Sequence, residues 1–190
     1  MNRTDIINYY LDKINEYKKY LEIGVRDKGN FNKINADHKD GVDPNYDVNY
    51  KMTSDDFFKI NKIKYDLIFI DGLHLYEQAY RDIINSLNSL TDRGLIIVHD
   101  CNPPSEWHQR EHNFKGQWNG TTWKAFVKIR CERSDLRSFV VDTDWGVGVI
   151  NPKGVQKLFS CNEDIYDYNV FQKYRKEALN LLTLEEFYKE

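Results

Sequence analysis

Residues 65–74 read YDLIFIDGLH, and the first seven of them decide the fold. YDLIFID is an almost unbroken apolar run closed by an acid. A strand with one wet face alternates apolar and polar residues, whereas a continuous run marks a strand buried on both faces of a parallel sheet. A second such run, LIIVH, occupies residues 95–99. Between the two, residues 75–90 carry apolar side chains at helical spacing and stop at Asp92-Arg93-Gly94. Strand, helix and strand in that order make a right-handed crossover unit.

The same alternation extends outward. Asn2 to Asp5 can cap a helix whose apolar positions are Ile6, Ile7, Tyr10, Leu11 and Ile14. Residues 20–25 (YLEIGV) predict a strand that breaks at glycine. Residues 30–36 leave room for a short helix, residues 38–43 a second strand stopped by Pro44, and residues 50–53 a weak third one. A capped helix follows from Ser54. Beyond the 95–99 strand, residues 122–133 predict a helix, and 138–142 with 146–150 two strands around a tight TDWG turn. The expected class is α/β: a doubly wound, mostly parallel sheet of seven strands with a terminal antiparallel hairpin strand and helices on both faces. Residues 1–154 form the expected main domain, and residues 155–190 a polar, helical extension packed on it.

Bulk properties narrow the function. The chain has 190 residues, with 27 Lys plus Arg against 30 Asp plus Glu, a net charge of −3. No concentrated basic face is implied, which argues against a nucleic-acid partner. The apolar runs are too short to span a bilayer, and the first residues do not form a secretory signal. Cys101, Cys131 and Cys161 form no CxxC pair, so a reduced, cytoplasmic protein is expected. A homo-oligomer stays open.

In doubly wound sheets ligands bind at the carboxyl ends of the strands. There the sequence places Glu22 and Gly24, Asp43, Ser54 and Asp55, Asp71 and His74, and His99 with Asp100. Every strand end thus delivers a carboxylate to one rim. Leu21-Glu22-Ile23-Gly24, with an acid closing the next strand, resembles the cofactor site of class I S-adenosylmethionine-dependent methyltransferases. That resemblance implies a Rossmann-like fold and S-adenosylmethionine as cofactor, with Glu22, Gly24, Asp43, Ser54, Asp55 and Asp71 as the residues that bind it. Gly24 would let the backbone approach the methionine part, Asp43 would accept hydrogen bonds from the ribose hydroxyls, and Ser54 and Asp55 would lie against the adenine.

Residues 70–77 (IDGLHLYE) resemble the D-x-x-H-x-Y segment of small methyltransferases related to sugar and macrolide-sugar O-methyltransferases, and residues 98–103 resemble that family's next strand end. The likeness covers roughly residues 20–152. It implies methylation of a hydroxyl on a sugar or other small polar acceptor, with His74 as general base beside Asp71. It also implies a divalent metal, Mg²⁺ or Mn²⁺, at Asp71, His99 and Asp100. The chain departs from the relatives here, because they have Glu-Asp or Asp-Asn where this sequence has His99-Asp100-Cys101. Mg²⁺ prefers oxygen ligands. The histidine therefore points either to a softer ion or to no metal, with His99 a hydrogen-bonding group.

Competing readings are specific. His74 could instead cap the helix after it, and the Gly24 loop could be an ordinary tight turn. A dinucleotide-dependent oxidoreductase would need a fuller glycine motif, and a non-catalytic cofactor-binding domain would need no base. Residues 101–121, with Trp107, His108, His112 and Trp118, are long for a loop and too aromatic for a disordered one, which leaves an acceptor site or a surface loop packed by its own tryptophans. They lie where an acceptor would bind.

Overall fold

The computed structural model describes residues 1–112 and 116–190. Residues 113–115, part of the 101–121 loop, lie outside the described residues. Along the chain run α1 (Arg3–Asp12), β1 (Lys19–Ile23), β2 (His38–Val42), α2 (Ser54–Ile60), β3 (Tyr65–Ile70), α3 (Tyr76–Leu87) and β4 (Leu90–Val98). Then come α4 (Thr122–Glu132), β5 (Arg137–Val141), β6 (Val147–Asn151), α5 (Tyr168–Leu179), β7 (Leu181–Leu182) and α6 (Leu184–Phe187).

The strands make one seven-stranded sheet in the order β2-β1-β3-β4-β6-β5-β7. β1 pairs in parallel with β2 and β3, and β3 with β4; β6 runs antiparallel between β4 and β5, and β7 is parallel to β5. All six residues of β3 are buried, as YDLIFID implied. Leu21, Ile68, Ile70, Ile96 and Val98 face a core completed by α3, α4 and α5 through Ile83, Trp123, Phe126 and Phe171. Tyr20, Leu67, Phe69 and Ile97 face the opposite core, completed by Ile6, Ile7 and Leu11 of α1 and Phe187 of α6. Each such side chain contributes about 1.5–3 kcal/mol when fully buried, so both faces of the central strands hold the sheet in place.

Three elements differ from expectation. No strand forms at 50–53: Tyr50 makes one isolated bridge to Val42, and the chain turns at once as Met52 N donates to the Tyr50 carbonyl. β4 begins earlier than expected, at Leu90, because Thr91 Oγ1 and Arg93 Nε both donate to Asp66 Oδ1 at 2.8 Å and draw that segment onto β3. The tail is not purely helical. α5 packs on one face, β7 extends the sheet edge, and α6 packs on the other face.

Candidate active site

All nine candidate residues from the strand ends line one cavity of about 1200 Å³: Glu22, Gly24, Asp43, Ser54, Asp55, Asp71, His74, His99 and Asp100. The parallel register explains this. Ile23 pairs with Val42 and Ile70, and Ile70 with Val98, so the residues that follow these strand ends emerge at one level.

One half of the cavity is built by β1 and β2. Gly24 has φ +85°, and a Cβ there would lie 2.2 Å from the Asp71 carbonyl oxygen. Glycine is thus required by the close approach of the β1 and β3 ends, a constraint beside the approach to a ligand and the tight turn that the sequence suggested. Asp43 Oδ2 accepts from Arg26 N at 2.9 Å, and its Oδ1 accepts from Asn45 N and Tyr46 N at 2.9 and 3.2 Å. Three backbone N–H groups therefore fix a carboxylate whose remaining lone pairs can take further donors. Glu22 Oε2 accepts from the Tyr20 hydroxyl and from Asn30 Nδ2. Burial nevertheless pushes its carboxyl up to about 7. Gln78 Nε2 ties Ser54, Asp55 and the buried Asp82 together at 3.0–3.2 Å.

The other half is a charged cluster at the ends of β3 and β4. Asp71 Oδ1 lies 3.3 Å from His74 Nε2 and 3.2 Å from His99 Nδ1. Asp100 Oδ2 lies 3.2 Å from His74 Nδ1 and 3.1 Å from His99 Nδ1, while its Oδ1 accepts from Asn119 Nδ2 at 2.7 Å. Asp100 has φ +60°, a left-handed conformation that costs a non-glycine residue about 1–3 kcal/mol and is tolerated mostly at functional sites. Burial alone would raise the Asp71 carboxyl, but the charge of His99 and contact with His74 hold it well below the usual carboxylate range. For His74 and His99, burial lowers the pKa. Their aspartate partners outweigh it and raise both, His99 well above its ordinary value.

His74 does not cap α3. The N-cap is Leu75, with no side-chain cap, and Thr121 Oγ1 accepts from Tyr76 N at 2.8 Å instead. The His74 ring stacks on Trp118, with centroids 4.8 Å apart and planes 17° apart, and its Nδ1 is buried without a hydrogen-bond partner. A Cβ at Gly120 would meet the His74 carbonyl oxygen at 2.0 Å, so the 116–121 segment closes tightly behind this histidine. Trp107 is exposed and holds the Arg110 guanidinium rather than lining the cavity. His108 packs against Trp145.

Sequence reasoning missed Arg3, Asn119, Asp144 and Trp145, of which Arg3, Asp144 and Trp145 line the cavity. Arg3 Nη1 lies 3.2 Å from Asp71 Oδ2 and 2.7 Å from His99 Nδ1. Asp144 and Trp145 carry φ of +44° and +66°. Their unusual backbone in the TDWG turn was the available signal.

A metal can be tested against these donors. Ligand atoms of Asp71, His74 and Asp100 lie within 4.8 Å of one another. Both carboxylates are already engaged, however: Asp71 Oδ1 and Asp100 Oδ2 by the two histidines, Asp100 Oδ1 by Asn119, and Asp71 Oδ2 by Arg3. His99 Nε2 lies 2.8 Å from the Asp144 carbonyl oxygen and its Nδ1 faces the two carboxylates. Arg3 Nη1 also stands 2.7 and 2.9 Å from the two ring nitrogens, so neither has a free approach for an ion. The residues present do not fit a resident divalent ion.

Residues 11–101, just under half of the chain, match the model of a family described as a methyltransferase domain. No curated protein matches the chain significantly. Among solved structures the chain is similar to the SAH-bound methyltransferase PaMTH1 of Podospora anserina, at 15% identity over 74% of this chain and 72% of that one, with TM-score 0.52. It is similar to DesVI of Streptomyces venezuelae at 12% identity over 78% and 89%, also with TM-score 0.52. A third is the MycE methyltransferase from the mycinamycin biosynthetic pathway, solved with Mg, SAH and mycinamycin VI, at 13% identity over 84% and 51%, TM-score 0.52. Identities this low establish a shared fold.

Proposed function

We propose that this protein transfers the methyl group of S-adenosylmethionine to a hydroxyl oxygen of a small polar acceptor, with His74 as general base; the match of residues 11–101 to a methyltransferase-domain model supports this reading. The observation that carries this reading is the placement of His74. It sits between Asp71 and Asp100, under Trp118, on the wall of a cavity whose far half holds Glu22 and Asp43.

The cavity, at about 1200 Å³, exceeds the usual range for one small ligand and accommodates a cofactor beside an acceptor. Asp43, fixed by three N–H groups, suits the vicinal hydroxyls of a ribose, and the Ser54–Asp55–Gln78 group suits the adenine. Bound S-adenosylmethionine supplies a methyl carbon on a sulfonium, so the acceptor oxygen forms the new C–O bond while the C–S electron pair returns to sulfur. Residues of the cavity align the acceptor and remove its proton. Alignment contributes on the order of several kcal/mol.

His74 Nδ1 stands 3.2 Å from Asp100 Oδ2, a position that favours a proton on Nδ1 and leaves Nε2 to receive the acceptor's proton. Asp71 beside Nε2 then stabilises the imidazolium, the same logic by which a carboxylate supports a catalytic histidine elsewhere. Trp118 and Trp145 offer aromatic faces to the C–H face of a sugar, and the carboxylates around them offer acceptors to its hydroxyls. That combination favours a sugar or a similar polyhydroxylated acceptor.

The experiment pairs calorimetric binding of S-adenosylhomocysteine with methyl transfer from labelled S-adenosylmethionine to a panel of hydroxylated acceptors. His74→Ala should lower kcat by about 10²–10⁴, with S-adenosylhomocysteine affinity within a few fold of wild type. The pKa of His74 is raised and the neutral ring is the base, so the wild-type rate should climb with pH through a midpoint above the ordinary histidine value. Near-normal kcat in folded His74→Ala would end the base assignment. Cofactor binding without turnover would favour a non-catalytic domain.

A further inference from the structure

The charged cluster contains a cation that does not come from the sheet. Arg3 opens α1, whose first turn is held by a capping box between Asn2 and Asp5. The same turn is tied to the β5–β6 connection: Arg3 N donates to Asp144 Oδ2 at 2.9 Å, and Thr143 Oγ1 donates to the Met1 carbonyl at 2.6 Å. From this anchored base the guanidinium reaches across the rim. Nη1 stands 3.2 Å from Asp71 Oδ2, and Nε 3.4 Å from Asp144 Oδ2. The side chain remains 31% exposed, so it faces the cavity rather than being sealed below it.

We propose that Arg3 is the resident cation of the catalytic centre, so that its guanidinium, and no divalent ion, holds the acceptor oxygen. Three carboxylates, Asp71, Asp100 and Asp144, converge within reach of one another through His99. His99 faces all three, and the Arg3 guanidinium adds a positive charge that stays protonated without binding anything from solution. Mg²⁺ requires oxygen ligands at about 2.0–2.1 Å in octahedral array. An ion so close to Asp71 Oδ2 would meet the guanidinium already there.

The role in turnover rests on the methyl-transfer reading. As the acceptor O–H bond breaks, the proton passes to His74 Nε2 and negative charge grows on oxygen. Arg3 donates to that oxygen until its electron pair forms the C–O bond and the C–S pair returns to sulfur. Arginine carries several N–H donors in a rigid plane and stays protonated, so one donor can serve Asp71 while another serves the acceptor.

Mn²⁺ alone, titrated into the whole protein and followed by its paramagnetic resonance signal, tests the cation claim without any acceptor. Wild type should leave Mn²⁺ free at about 1 mM, the weak end of the range for oxygen-ligand sites. Arg3→Ala should bind one ion, and Arg3→Lys, which keeps the charge, should exclude it as wild type does. In the transfer assay, exhaustive chelation should leave wild-type turnover unchanged. Arg3→Ala should lose about 10²–10³-fold in kcat, the cost of removing one donor to a developing oxyanion, with S-adenosylhomocysteine affinity within a few fold of wild type. Stoichiometric Mn²⁺ binding by wild type, or wild-type kcat in Arg3→Ala, would overturn the proposal. If the methyl-transfer reading fails, wild type will neither bind S-adenosylhomocysteine nor turn over, and the Mn²⁺ titrations still decide the cation claim.

Discussion

Glu22→Gln should make the protein more stable at mildly alkaline pH and should do so by an amount that depends on pH. In the folded chain Glu22 is almost fully buried, and its pKa rises from 4.5 to about 7. Below pH 4.5 the carboxyl is protonated in both folded and unfolded chains and contributes no pH dependence. Between 4.5 and 7 the unfolded chain loses the proton and the folded chain keeps it, so each unit of rising pH subtracts about 1.4 kcal/mol of stability. Across the window of 2.5 units, 7 minus 4.5, the loss amounts to roughly 3 kcal/mol. Above 7 it is constant. The amide of the variant would keep an acceptor for Tyr20 and Asn30 and has no proton to lose. The assay is urea unfolding of ligand-free wild type and variant at about pH 5 and pH 8. The difference between the two proteins cancels other titrating groups, such as the buried Asp82, whose carboxyl is also raised by burial. The stability difference should shift in favour of Glu22→Gln by roughly 2.5 kcal/mol between the two pH values, since part of the loss has already occurred at pH 5. A difference that stays flat with pH would refute the burial argument.

Two further outcomes follow from the cofactor half of the cavity. Asp43→Asn should weaken S-adenosylhomocysteine binding by about 1.5–3 kcal/mol, the range for a hydrogen bond to a charged group; unchanged affinity by calorimetry would remove Asp43 from the ribose. Gly24→Ala should cost roughly 2–5 kcal/mol, combining the left-handed backbone with overpacking against the Asp71 carbonyl. A thermal midpoint within a degree or two of wild type would show that the β1 and β3 ends separate easily.

The central part of the fold was legible because a doubly buried strand has a sequence signature. YDLIFID and LIIVH could hardly pack anywhere but the middle of a parallel sheet, and they became β3 and the buried end of β4. Once those strands were placed, the rule that ligands gather at strand ends collected nine residues that share one cavity. What stayed hidden depends on contacts between distant parts of the chain. β7 is two residues long, Leu181 and Leu182, and exists because β5 lies beside it. Nothing in MNRTD says that the Arg3 side chain crosses to Asp71, 68 residues away. Asn119 reaches Asp100 only because the loop returns over the rim. The glycine at 24 was seen, but its reason was not: the crowding comes from the Asp71 backbone.

The passage of the tail from one face of the sheet to the other bears on how the protein matures. Ile6, Ile7 and Leu11 share their core with Phe139, Val149 and Phe187, and the Tyr9 ring lies 5.1 Å from that of Phe187. These partners are synthesised long after α1. A growing chain can cover part of the apolar side of its first helix with Tyr20, Leu67, Phe69 and Ile97, but the rest of that core closes only when these late partners arrive. The β1–β4 core can assemble earlier from nearby segments. Arg3 opens α1 and reaches Asp71 across the rim, so the part of the cavity lined by Glu22, Gly24 and Asp43 can form before the charged cluster is complete.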